Sequence, residues 1–186
     1  MGGVLSSLFG WLFGRESSKV LPVDLGPEAD IPDPDTSLTP RQVAYVNTTW
    51  DLVRPEMKSH AVKFFILFFE THPEIQTRFK PFVGKKLEDL IDSKRLAAHA
   101  TTVFSAIDSY ISNLDDVSVV VEMLETTGIN HKNRGINVSD FDLLPPVLIK
   151  YLGEALKDHW SEGAKQAWAD LLNVVVTIIK KAYEKK

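Results

Sequence analysis

Two histidines stand where an imidazole could bind a metal. His131 ends the run Leu124-Glu125-Thr126-Thr127-Gly128-Ile129-Asn130-His131, and Lys132-Asn133-Arg134-Gly135 follows as a glycine-terminated loop. Val117, Val120, Val121 and Leu124 recur at helical spacing, and Thr127 and His131 continue that face. A neutral imidazole at the end of such a helix suits iron. One ring nitrogen can donate to the backbone carbonyl one turn earlier, which fixes the tautomer and leaves the other nitrogen as ligand. A lone histidine there more often caps the last carbonyls than binds a metal, and what shifts the reading lies upstream. His99 sits on a second amphipathic stretch with Leu96, Val103, Ile107 and Tyr110 at spacings of three and four, and Phe79 precedes that stretch.

The elements that must position these residues read as helices. Thr39-Pro40 is a helix start, a capping hydroxyl with proline at the first helical position, and Val43, Val46, Trp50 and Val53 form the stripe behind it. Pro55 opens a second helix through Val62, Phe64, Phe65, Leu67, Phe68 and Phe69, apolar on nearly every side and therefore expected at the centre. His72-Pro73 ends that helix and begins a short turn leading to Phe79 and Phe82, and residues 85–92 read as a looser charged stretch. Ser93 is expected to cap the helix of His99, Ser139 to start a helix that Pro145-Pro146 must kink or restart, and Ser161 to cap the last helix. Tyr110, His60, His72 and His159 read as structural or surface residues.

The 186 residues suit one domain with an appendage, and 44% hydrophobic residues allow a sizeable core. Lys and Arg total 21 against 25 Asp and Glu, a net charge of -4 with no electrostatic footprint for nucleic acid. The chain has no cysteine, which excludes disulfides, zinc-thiolate sites, thiol catalysis and S-palmitoylation. No apolar run approaches the roughly 20 residues needed to span a bilayer.

Residues 1–19 read as an acylation and membrane-anchor segment. Met-Gly-Gly-Val-Leu-Ser fits the N-myristoylation pattern, with Gly2 as acceptor and Ser6 at the required place. One myristoyl chain holds a membrane only marginally, and Leu8, Phe9, Trp11, Leu12 and Phe13 would supply the second contact by inserting at the interface. The competing signal-peptide reading is weakened because no Lys or Arg precedes the apolar run. Residues 20–38 alternate Pro22, Pro27, Pro32 and Pro34 with acids, the pattern of an extended, solvated linker. Residues 39–186 then form the folded domain.

In that domain the ordered set His72-Pro73-Glu74, Phe79, Phe82, His99 with Val103, and His131 resembles the globin family. The resemblance implies an all-α fold of about seven to eight helices around a haem pocket. It implies haem b (iron protoporphyrin IX), with His131 as proximal iron ligand and His99 as distal histidine, able to hydrogen-bond a ligand or to take the sixth iron position itself. Phe79 and Phe65 would wall the pocket, Val103 would crowd its ligand side, and Arg134 would pair a haem propionate. Thr127 departs from the leucine of many globins and offers a hydroxyl near His131. An acylation signal ahead of the domain resembles the membrane-associated globin X group. The expected function is reversible binding of oxygen and other diatomic gases, with the protein intracellular at the cytoplasmic face of a membrane. The alternative is haem redox chemistry or signalling there (nitrite reduction, nitric oxide dioxygenation or electron transfer with a reductase partner). A haem-free helical interaction module is the remote third reading.

Overall fold

The computed structural model describes residues 25–34 and 36–185. The acylation pattern and the apolar run of residues 1–19 lie outside them. Among the described residues there are eight α-helices and no strand: α1 Pro40–Asp51, α2 Met57–Thr71, α3 Pro73–Gln76, α4 Leu87–Ile91, α5 Lys94–Ser112, α6 Val117–Asn133, α7 Leu144–Leu156 and α8 Glu162–Glu184. The all-α expectation holds.

The helix starts follow the local chemistry. Thr39 Oγ1 accepts from Gln42 N at 3.1 Å while Gln42 Oε1 accepts from Thr39 N at 2.7 Å, a reciprocal capping box. Ser93 and Ser161 cap α5 and α8 through Leu96 N and Ala164 N, as their sequence positions predict. Ser139 does not start a helix: Val138–Leu143 is a 3-10 turn, and α7 begins at Leu144. Pro145 and Pro146 therefore fall in the first turn, where the backbone N–H groups have no intrahelical acceptor to lose. The proline pair restarts the helix and does not kink it. Residues 85–92 also differ from the loose stretch expected, since they contain α4 with Leu90 fully buried beneath it.

Helix α2 is central, as its apolar circumference requires: it packs on α5 and on α7, while α1 packs on α8 and α6 on α8. Phe64, Phe65, Phe68 and Phe69 are all buried. Trp50 and Trp168 lie fully buried with ring centroids 5.7 Å apart. A buried indole needs a partner for its N–H, and both have one. Trp50 Nε1 donates to Asp108 Oδ1 at 2.9 Å, and Trp168 Nε1 donates to Thr49 Oγ1 at 2.9 Å. Arg54 Nε donates to the same Asp108 carboxylate at 2.7 Å, so one acid ties α1 and the turn after it to α5. A smaller cluster of Tyr110, Val120, Leu124 and Ile179 joins α5, α6 and α8.

The extended linker expected over residues 20–38 differs from the structure where it is described. Pro27–Asp30 forms a 3-10 turn with Ala29 buried, and Arg41 on α1 holds Asp30 at 2.6 Å and the Gly26 carbonyl at 2.9 Å. Leu38 is buried in the main core.

Candidate functional site

Helix α6 brings His131 to its C-terminal end and runs two residues beyond it. His131 Nδ1 lies 2.8 Å from the Thr127 carbonyl, one turn earlier, which is the contact that the helical spacing predicts. A carbonyl can only accept, so Nδ1 carries the proton and Nε2 keeps its lone pair. The backbone is pinned as well. Gly135 adopts φ +74, Gly135 N donates to Lys132 O at 2.9 Å, and Ile136 N donates to His131 O at 3.2 Å. This paired Schellman closure needs a left-handed residue at Gly135, which glycine supplies without steric cost. Phe141, in the 3-10 turn, meets the imidazole edge-on at 5.2 Å between centroids.

Helix α5 carries His99 into an aromatic wall. Its ring lies 5.3 Å from that of Phe65 on α2 and 5.0 Å from that of Phe79, both at steep angles, and Phe65 and Phe79 meet each other at 6.0 Å. Burial holds the His99 pKa below the usual histidine value, and the electrostatic influence of His131 and Arg134 acts in the same direction. The neutral form of His99 is thereby favoured, and the ring lies within electrostatic reach of His131 and Arg134. Val103, one turn after His99, is half-buried against the main core. Arg134 is exposed at the C-cap of α6, and among the described residues no carboxylate pairs with its guanidinium. The structure therefore gathers Phe65, Phe79 and His99 in direct contact, with His131 and Arg134 within electrostatic reach. Gly2 lies outside the described residues.

The family model described as Globin matches residues 62–179, which includes Phe65, Phe79, His99, Val103, His131 and Arg134. The chain belongs to the globin family. This globin is 32% identical over 134 residues to Hemoglobin-2 of Phacoides pectinatus, covering 72% of this chain and 87% of the relative. It is 29% identical over 144 residues to Globin CTT-V of Chironomus thummi piger, covering 76% and 85% of the two chains. Among solved structures, a hexacoordinated haem protein from an anhydrobiotic tardigrade superposes with a TM-score of 0.77 at 20% identity, over 82% of this chain and 99% of that one. A double mutant of Aplysia limacina myoglobin superposes with a TM-score of 0.69 at 20% identity, over 76% and 95%.

Family membership implies a haem, and the residues fit one. His131 offers a tautomer-locked imidazole nitrogen, the type of axial ligand haem iron takes. Phe65 and Phe79 offer an apolar wall beside His99. Among the described residues no group of three or more His, Cys, Asp or Glu side chains could hold a bare metal ion. His99 and His131 instead stand on two different helices, and these imidazoles would be the residues that hold the iron of a haem. Two features escape a reading of the sequence. Phe141 reaches His131 from a turn that the sequence presents as helix. Tyr110, on the His99 helix, reaches Thr127, with the hydroxyls 2.6 Å apart. Only the way α5 and α6 pack decides that contact, although the helical spacing of Tyr110 from His99 is visible.

Proposed function

We propose that this globin holds haem b, with His131 as the proximal iron ligand, and reversibly binds oxygen and other diatomic gases. The observation that carries the reading is the 2.8 Å contact from His131 Nδ1 to the Thr127 carbonyl, which leaves Nε2 free to act as a ligand. When bound, a haem would supply an iron able to take a diatomic gas, and His131 would hold it. His99 is partly buried and its pKa is lowered by that burial, which favours the neutral ring that carries both an N–H and a lone pair. Phe65 and Phe79 hold the His99 ring from two directions and keep its surroundings apolar, which disfavours charge separation there. Val103 adds bulk one turn along. Arg134 offers a planar guanidinium suited to a propionate.

Gly2 and the apolar residues Leu8, Phe9, Trp11, Leu12 and Phe13 favour a second reading, in which the protein is a membrane-associated haem redox or signalling protein with both His99 and His131 on iron. Nitrite reduction, nitric oxide dioxygenation and electron transfer with a reductase partner belong to this reading. No helix among the described residues is long and apolar enough to cross a membrane. The proposed attachment is through the N-terminal residues, at the cytoplasmic face.

The deciding experiment is the visible spectrum of the haem-loaded, dithionite-reduced protein without added gas. One broad band in the green means an open distal position and favours oxygen binding. Two sharp bands mean that His99 also binds iron, and the redox reading then leads. A His131→Gly variant that retains the wild-type spectrum would overturn the assignment of His131. Gly2→Ala should leave the membrane fraction, and unchanged sedimentation would sink the acyl anchor.

A further inference from the structure

The hydroxyl of Thr127 is used differently from those of five other helical threonines. Thr48, Thr49, Thr71, Thr101 and Thr102, all helical, each donate to the carbonyl four residues back, at 2.7–3.0 Å. This is the usual resting place of a threonine hydroxyl in a helix. Thr127 Oγ1 instead faces Tyr110 Oη on α5 at 2.6 Å. Tyr110 is 9% exposed, with its ring in the cluster of Val120, Leu124 and Ile179, so the phenol is held by packing before the hydrogen bond forms. Both residues line a groove of about 420 Å³ between α5 and α6.

The Thr127 carbonyl is the acceptor of His131 Nδ1. In an α-helix it also accepts the backbone N–H of residue 131, so a single oxygen serves two donors and its direction matters to both. Tyr110 pins the side chain of the residue that owns this oxygen. The chain of contacts is therefore Tyr110 Oη to Thr127 Oγ1, then Thr127 O to His131 Nδ1. It begins on the helix that carries His99, eleven residues after that histidine.

We propose that Tyr110 is a positioning residue for His131: through Thr127 it holds the carbonyl that fixes the His131 tautomer and strengthens its Nε2 as a donor. The effect on iron rests on the haem reading above, whereas the effect on the tautomer does not. A firm Nδ1–H to carbonyl bond raises the basicity of the ligating nitrogen. Loss of the phenol hydroxyl loosens the turn of residues 127–131 and weakens that bond. Tyr110→Phe keeps the ring in its cluster and removes only the tie. Thr127→Val removes the same tie from the other side, and Thr127→Ser restores a hydroxyl.

The test uses the full chain in two states. Without haem, ¹⁵N spectra of the histidine rings report the His131 tautomer. The wild type should show Nδ1–H alone, and Tyr110→Phe and Thr127→Val should each show a mixture with Nε2–H. With haem, the same two variants should show a lower iron–histidine stretching frequency in the reduced state and a higher reduction midpoint, while Thr127→Ser stays near wild type. Wild-type tautomer, stretch and midpoint in both Tyr110→Phe and Thr127→Val would overturn the proposal. A wild-type chain that takes up no haem would overturn the haem reading, and the tautomer measurement would still decide the role of Tyr110.

Discussion

At the scale of single residues, the contacts made within one helix are the legible ones. His131 and Thr127 are four apart, so the helical repeat alone puts the imidazole over that carbonyl. Tyr110 and Thr127 are seventeen apart on different helices, and no periodicity announces their contact. The same holds for His60 and Tyr151, which meet at 2.8 Å between Nδ1 and the phenol oxygen. Burial pushes the Tyr151 phenol up to about 12 from its ordinary value of 10.0. Burial also holds His60 below its ordinary 6.5, with Lys63 adding to the effect. Both groups are therefore neutral in the native state. For Tyr151 the folded pKa lies above the unfolded one, so its contribution is complete below pH 10 and is lost as pH rises from there through about 12. For His60 the folded pKa lies below the unfolded one, so its contribution is present above about 6.5 and is lost as pH falls. Denaturant unfolding at pH 9 and pH 11 should show the wild type losing about 1 kcal/mol more than Tyr151→Phe over that interval. Equal losses would mean that Tyr151 ionises in the folded protein as it does in the unfolded chain.

At the scale of elements, helix boundaries were legible wherever a side chain makes the boundary. Thr39, Ser93 and Ser161 each announce a start because their oxygens satisfy an orphan N–H. Helix α4 announces nothing. It is five residues long, has no side-chain cap, and rests on the burial of Leu90, which only the tertiary fold decides. Ser139 misled for a related reason, since the proline pair tolerates a first helical turn but no earlier one. The approach of α6 to α8 was equally hidden. A Cβ on Gly128 would stand 2.8 Å from the Ala182 Cβ and 3.0 Å from the Ile179 carbonyl oxygen. Gly128→Ala gains roughly 1 kcal/mol of helix propensity, against an overpacking cost of about 1–3 kcal/mol. Neither Ala182 nor the α8 backbone can rotate out of the way, so the cost wins. The variant should lose about 1 kcal/mol and some 2–4 °C of melting temperature. Adding Ala182→Gly should give the pair a favourable coupling in a double-mutant cycle. A Gly128→Ala protein more stable than wild type would show that α6 and α8 stand further apart than described.

At the scale of the whole molecule, the globin core was readable because its ordered histidines and phenylalanines carry the pattern, whereas the segment ahead of it was not. Prolines and acids between Val20 and Leu38 read as a solvated spacer, yet Ala29 and Leu38 are buried and Arg41 grips Asp30 and the Gly26 carbonyl. Composition reports average solvation and cannot report two apolar side chains that find a surface. The consequence bears on the proposed anchor. The described chain ahead of α1 is held to it at Gly26 and Asp30, so a tether through residues 1–19 would not end on a free spacer reaching Pro40. Arg41→Ala should release this strap while leaving the core intact. Amides across residues 25–38 should exchange faster, and proteases should nick that segment sooner, while the unfolding midpoint of the helical core stays at its wild-type value. Unchanged exchange in the variant would mean that Ala29 and Leu38 hold the strap without the arginine. A fall in the midpoint would mean that the strap is part of the core's own stability, so that a pull on the anchor would be felt by the helices around His99 and His131.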